Sequence, residues 1–414
     1  MELGIGVNRS NPGLSEAISE MPASEMSIDK ETKDAKVTIT KLIESNDKEA
    51  IQGFFSKPHS VELIAGLAEK GELLHRAADL GHADMIELLV RNLPPQALNA
   101  RNQDGSTPLI LAAKHGNVDV VKTLLTAGAS PDMQDNRGLT ALIYAALSGA
   151  LEVIKMLLGY ASAGDVARSA PAADIHAQDN EGKNALMRAL ENKHFDVAAL
   201  LLENKADVHA RAKDGATAGM LAALSGHIVA INLLAKYGAN FNDEDSIGRT
   251  ALAYAADSPK ESIDGVVQAL LKNNADINFK NEAGNTPLIA AFDNRSEGLL
   301  SLIKVGADVN AQRANGDTLL IDAARDNDFE RVKFLTENGA DVNKAGNYRK
   351  TPLMHALPEE NGKLVKFLLD KGANIQAMDR GGKSVYQYAP VNRDETSPML
   401  DLVRKYKPTA KEGS

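Results

Sequence analysis

Apolar residues along this chain come in pairs of short helical runs separated by a fixed break. Between Asn102 and Ala129, Leu109, Ala112 and Ala113 share one helical face, Gly116-Asn117 interrupts, and apolar residues return at 118, 120, 121, 124 and 125. Intervals of three and four predict two amphipathic helices. Thr107-Pro108 predicts the start of the first, since Thr caps a helix end and Pro needs no donor in the first turn. Gly128 predicts the turn that closes the second. The same pair returns behind a phrase, Gly-x-Thr-(Pro/Ala)-Leu, beginning at Gly105, Gly138, Gly248, Gly284 and Gly316. Weaker copies begin at Gly182, Gly215 and Gly382, and Arg349 holds the glycine position in one more. The steps from 105 to 382 are 33, 44, 33, 33, 36, 32, 33 and 33 residues. Such a period predicts one supersecondary unit stacked many times, and an extended contact surface rather than a cleft.

The pattern also marks the ends and irregularities. Residues 1–36 are polar and short of large apolar groups, which predicts a flexible tail. Residues 37–69 read as degenerate cap helices and 70–406 as the array, with a flexible end at 407–414. The 44-residue step carries a small, polar insertion at 160–171, and the 36-residue step carries Ser258-Pro259-Lys260-Glu261 as a loop extension. Lys383 to Pro390 keeps the phrase loosely and Met399 to Tyr406 is amphipathic, as a terminal cap with a wet outer face should be. Gly219 stands where other copies carry a core Leu, which predicts a cavity and a soft layer at 212–244.

Thr107-Pro-Leu109, the paired alanines, Gly81-His82, Gly226-His227 and the Ala-Asp-Val-Asn segments at Ala307 and Ala340 together resemble the ankyrin-repeat family. The resemblance covers roughly residues 70–406. It implies an all-α solenoid of about ten repeats, with helix pairs joined by β-hairpin tips and inner helices lining a concave groove. It implies a protein-binding role without naming the partner.

Composition narrows the chemistry. Net charge is −10, which argues against general affinity for nucleic acid or anionic membrane. Cysteine is absent, so disulfides, thiolate metal sites and cysteine nucleophiles are excluded from these residues. No apolar run is long enough to span a membrane, and the amino end lacks the basic head and apolar core of a secretory signal. His82, His194 and His227 fall at turns between paired helices, where a structural role is expected. No nucleophile elbow, phosphate loop or metal-ligand spacing is present, so no catalytic residue, cofactor or metal is assigned.

The resemblance places one residue of each inner helix in the groove and two more at its rim. Along the chain these are Leu111, Tyr144, Leu147, Arg188, Leu221, Leu224 and Tyr254, which we take as the candidate groove contacts. Tyr and Arg combine large contact area with a polar handle, as interface anchors do. The tips offer a second, weaker surface that turns basic and aromatic near the carboxyl end: Tyr348, Arg349, Lys350, Arg380 and Lys383. The expected protein is a non-catalytic, monomeric, cytoplasmic scaffold for a partner protein. Long cysteine-free arrays also resemble effectors that intracellular bacteria deliver into host cells without a Sec signal, the partner then being a host protein. A resident cytosolic adaptor is the alternative reading, and an enzyme with a site built on the array is a third.

Overall fold

The computed structural model describes residues 37–56, 72–160, 171–390 and 397–406. The expected tails at 1–36 and 407–414, the end of the cap segment at 57–69, and most of the insertion at 160–171 lie outside these. The chain divides into two compact units, Met1–Lys213 and Asp214–Ser414, each taken here by itself.

The first unit holds α1 (37–44), α2 (Lys48–Phe55), α3 (Glu72–Leu80), α4 (Ala83–Asn92), α5 (Pro108–Lys114), α6 (Val118–Thr126), α7 (Ala141–Ser148), α8 (Leu151–Leu157), α9 (Ala185–Glu191) and α10 (Phe195–Glu203). The second holds α11 (Ala218–Leu224), α12 (Ile228–Lys236), α13 (Ala251–Ala255), α14 (Ile263–Lys272), α15 (Pro287–Asp293), α16 (Leu299–Lys304), α17 (Leu319–Arg325), α18 (Phe329–Glu337), α19 (Pro352–Ala356), α20 (Gly362–Asp370) and α21 (Pro398–Lys405).

Odd-numbered helices from α3 to α19 are the inner ones, each followed by an outer partner. In the first unit α3, α5, α7 and α9 stack in order, with α4, α6, α8 and α10 behind them. In the second, α11 packs on α13, α13 on α15 and α17 on α19. The inner faces are built from small residues: Ala112, Ala113, Ala145 and Ala146 are 0 % exposed, so neighbouring layers meet almost backbone to backbone. Leu109, Leu142 and Leu186 in the first unit, and Leu252, Leu288, Leu320 and Leu353 in the second, are buried at the same position of their repeats.

The helix starts follow the phrase. Thr107, Thr140, Thr286, Thr318 and Thr351 each accept the backbone N–H three residues on, at 3.3–3.4 Å, and Asn184 does the same for Met187 at 3.0 Å. Each such cap is worth about 1 kcal/mol.

No strand occurs among the described residues. The hairpins are tight turns, as at Asp135, whose N–H reaches Leu139 O at 3.1 Å while Gly138 N–H returns to Asp135 O at 3.0 Å. Isolated antiparallel bridges pair Gln178 with Asn184, Gln312 with Thr318 and Met378 with Ser384. Gly138 sits at φ 77°, and a Cβ there would lie 2.7 Å from Asn180 N, so both conformation and close approach require glycine.

Gly219 does not leave the cavity its position predicts. A Cβ at 219 would lie 3.0 Å from the ring of Phe241, which is 3 % exposed. Phe241 occupies the slot held by Val309 and Val342 in other repeats, so a larger residue there fills the space left by the smaller one on α11.

Candidate partner-binding surface

One bond recurs from hairpin to inner helix. Asp135 Oδ1 accepts the N–H groups of Arg137 and Leu139, both at 2.8 Å, and its Oδ2 accepts the Tyr144 hydroxyl at 2.8 Å. Asp179 Oδ1 holds Glu181 N and Lys183 N at 2.8 and 3.0 Å, and its Oδ2 accepts Arg188 Nε and Nη2 at 2.8 and 2.6 Å. Asp245 repeats the pattern with Ile247 N and Arg249 N at 3.0 and 2.8 Å, Arg249 Nε at 2.8 Å and the Tyr254 hydroxyl at 2.9 Å. Asp379 repeats it with Gly381 N, Lys383 N and the Tyr388 hydroxyl, at 2.8, 2.9 and 2.6 Å. In one repeat the charges are exchanged: Arg313 Nε donates to Asp322 Oδ2 at 2.7 Å. Donor and acceptor lie 9 residues apart in every case. One carboxylate thereby ties the turn, through its backbone, to the helix that follows it.

This clamp corrects the groove reading. Tyr144 and Tyr254 are only 7 % and 6 % exposed, and their hydroxyls are already engaged. Arg188 is half-buried and engages Glu191 and Glu181 as well as Asp179. Leu221, in a repeat with Ala212 at the aspartate position, is 6 % exposed and packs as core. These four residues position hairpins and layers instead of standing open as anchors. Leu111 and Leu147 are half-buried, and Leu224 is 39 % exposed. Repetition of Asp with Tyr or Arg nine residues later is the signal that marks the clamp in the sequence.

Burial sets the clamp's electrostatics against its hydrogen bonds. Burial pulls the Asp245 carboxyl up, but hydrogen bonds from Arg249 and Tyr254 hold it below the usual carboxylate range. Burial, with Asp245 alongside, pushes the Tyr254 hydroxyl far above its ordinary value. Burial and Asp379 push Tyr388 up to about 12.

The row of clamp positions opens at Ala290. Its hairpin partner, Asn281, spends Oδ1 on Asn285 N at 2.8 Å and Nδ2 on Gly248 O at 2.7 Å, and forms no clamp to the helix, where residue 290 is alanine. A concavity of about 210 Å³ results, lined by Ile247, Arg249, Asn281, Asn285, Ala290, Asp293 and Asn294. Ile247 stands 70 % exposed at its edge. Asp293 is bonded by Arg313 Nη1 at 2.8 Å and Arg249 Nε donates to Asp245 at 2.8 Å, so two of the lining side chains are held by ion pairs. At the tips Tyr348 is 61 % exposed, Arg349, Arg380 and Lys383 are exposed, and Lys350 is half-buried.

Among the described residues no cluster of His, Asp or Glu could hold a metal ion, and no helix is long and apolar enough to cross a membrane. His82, His194 and His227 stand at the N-caps of α4, α10 and α12.

The family model for ankyrin repeats matches this chain in overlapping segments from residue 43 to residue 379. The rice (Oryza sativa subsp. japonica) protein named E3 ubiquitin-protein ligase XB3 is 35 % identical over 91 residues, 22 % of this chain and 20 % of that protein. The chain thus spans about a fifth of the relative's length.

Proposed function

We propose a function from one premise: the chain belongs to the ankyrin-repeat family, and it acts as a non-catalytic scaffold that binds a partner protein. The observation that carries this reading is the concavity over Ala290, an opening of mixed polarity framed in part by the ion-paired Arg249 and Asp293. Preorganised walls lower the entropy lost on binding, and an exposed Ile beside polar groups offers the apolar centre and polar rim of an interface. Leu224, exposed at the end of α11, and half-buried Leu111 and Leu147 extend the contact surface within their own units.

The finer reading is an effector acting on a host protein after delivery into a host cell. It is supported by the cysteine-free composition and acidic charge, which suit a reducing, anion-rich interior. A resident cytosolic adaptor is the alternative. Fusion of the chain to a translocation reporter separates the two, since an adaptor stays in the producing cell. Ubiquitin transfer, the activity in the rice relative's name, has no support in these residues: without cysteine they form neither a thioester nor a thiolate zinc site.

The test is cross-linked capture of partners by wild type and by Ala290→Tyr. Tyrosine is carried at the equivalent positions 144 and 254, so the helix accommodates it while the concavity fills. A partner held by wild type and lost by the folded variant supports the scaffold reading at this site. Equal capture by both sinks the site, and a wild type that captures nothing sinks the reading.

A further inference from the structure

We infer that the hairpin ends of the last two repeats, around Tyr348 and Arg380, form a docking surface for an acidic, extended segment of a partner protein. The inference rests on the scaffold reading above and names the chemistry of the partner.

Five cations stand on these two tips: Lys344, Arg349 and Lys350 on one, Arg380 and Lys383 on the next. The tips are fastened together, because Arg380 N–H donates to Tyr348 O at 2.6 Å. Among the described residues none of the five makes an ion pair. Elsewhere among the described residues of the unit Arg249, Arg313, Arg325 and Arg331 are each paired with an aspartate, whereas lysines such as Lys272 and Lys304 stand singly outside any ion pair. What sets the tips apart is five such cations together in a chain whose net charge is −10.

The cations are crowded as well as unpaired. The ammonium groups of Lys350 and Lys383 lie 5.4 and 4.1 Å from the centroid of one ring, Tyr388. The nearby carboxylate of Asp379 is already taken by two backbone N–H groups and the Tyr388 hydroxyl. Asp379 still offsets part of the charge of Lys350, but one carboxylate against five cations leaves a net positive site that gains when carboxylates arrive from outside.

The backbone presents an aromatic side chain in the middle of this charge. Tyr348 and Arg349 both adopt left-handed φ, 52° and 58°, although neither is glycine, and Arg349 stands where other hairpins carry glycine. That conformation is disfavoured for any residue with a Cβ. The turn is held on both sides, by Asn347 N–H on Asp317 Oδ1 at 2.8 Å and by the bond to Arg380. Tyr348 is 61 % exposed, and Met378, two residues before Arg380 on the next tip, is 57 % exposed. An extended segment with spaced carboxylates and an occasional apolar side chain matches this surface. A nucleic acid or an anionic membrane extends well beyond the two tips and would meet more of the acidic charge of the remaining chain than a short segment does.

The test uses the full chain and the anisotropy of a fluorescein-labelled octaglutamate peptide containing one phenylalanine. Lys350→Glu with Lys383→Glu reverses the centre of the patch and should weaken binding about tenfold or more. Lys272→Glu with Lys304→Glu makes the same change in net charge on outer helices and should leave binding within about twofold, since screened charges at that distance contribute little. Arg349→Gly restores the usual turn residue, keeps the fold by melting temperature, and should still weaken binding. Equal binding by the two double variants overturns the inference, as does binding of oligothymidylate or phosphatidylserine vesicles in preference to the peptide. Ala290→Tyr should bind the peptide as wild type does. If the tip variants show no loss while Ala290→Tyr still abolishes partner capture, this inference falls and the scaffold reading stands.

Discussion

The two units both link their repeats at the hairpin turn, the second through Gln312 Nε2 to Ala345 O at 3.2 Å and Asn281 Nδ2 to Gly248 O at 2.7 Å, and they differ at the hairpin root. In the first unit the side-chain links between repeats sit at the turn: Gln134 Nε2 to Gln178 O at 3.0 Å, Gln178 Nε2 to Arg211 O at 3.3 Å, Asn136 Nδ2 to Gln103 O and Asn180 Nδ2 to Asn136 O, both at 3.0 Å. In the second unit a ladder of asparagines runs along the hairpin root. Asn242, Asn278, Asn310 and Asn343 each donate to a carbonyl of the next repeat, of Asn274, Gly306, Gly339 and Gly372, and each accepts a backbone N–H from it, of Asp276, Asp308, Asp341 and Asn374. The root positions of the first unit are Asn99 and Asp132, which only accept, and His176, which makes no such bond. Loops between stacked helices expose backbone groups that need partners. The comparison shows that links at the turn are common to both units and that the second adds a full rung at each root while the helical layers beneath stay alike.

If the units differ in these links and not in their cores, core variants should cost the same in both. Phe241→Ala in the second unit and Leu142→Ala in the first should each destabilise their own unit by about 3–5 kcal/mol. The measurement is hydrogen exchange resolved by helix, because an array need not unfold in one step. Gly219→Leu alone should also destabilise by crowding Phe241, and Phe241→Val in the same chain should recover most of that loss. Additive costs in the double variant would break the account of Gly219.

The clamp comes next. Arg188→Leu leaves Asp179, whose side chain is 1 % exposed, without its guanidinium partner and should cost about 1.5–3 kcal/mol. Tyr254→Phe, which leaves Asp245 its Arg249 partner, should cost less than half as much. Equal losses would mean that the hydroxyl and the guanidinium do the same work.

Smaller still are the root links. Asn310→Ala should cost about 0.5–1.5 kcal/mol and raise exchange at Asp341 N–H, while His176→Asn should add stability of the same order to the first unit by supplying a missing rung. No gain from His176→Asn would show that the first unit's turn-end links already suffice.

The mildest test is pH. The lowered carboxyl of Asp245 contributes stability that is complete above the ordinary value of 3.8 and lost as pH falls through its lowered value. Tyr254 and Tyr388 are raised, so their contributions are complete below 10.0 and lost as pH rises beyond it, for Tyr388 towards about 12. Tyrosinate absorbance should therefore develop late, and Tyr388→Phe should remove the late step near 12.

Much of this molecule was legible before any coordinates. The Gly-x-Thr-(Pro/Ala)-Leu phrase and the Gly116-Asn117 break located helices, caps and turns correctly, because caps and apolar periodicity are local properties of a few residues. The loop at Ser258–Glu261 was equally visible, with Ser258 Oγ tied to Ala255 O at 2.8 Å. The candidate site was less so. The family resemblance placed Tyr144, Arg188 and Tyr254 on the groove side, but it carries no information about which partner a polar side chain will reach.

The amino-acid sequence by itself determined the repeat, its period, the all-helical stack and the family. Tertiary structure alone decided that the tyrosines of the groove are spent on aspartates, that Phe241 fills the space beside Gly219, and that Ala290 leaves an opening. Periodicity records how each helix divides apolar from polar. Whether a given side chain is free depends on atoms nine or more residues away, brought within 3 Å only when the hairpin folds back on its helix.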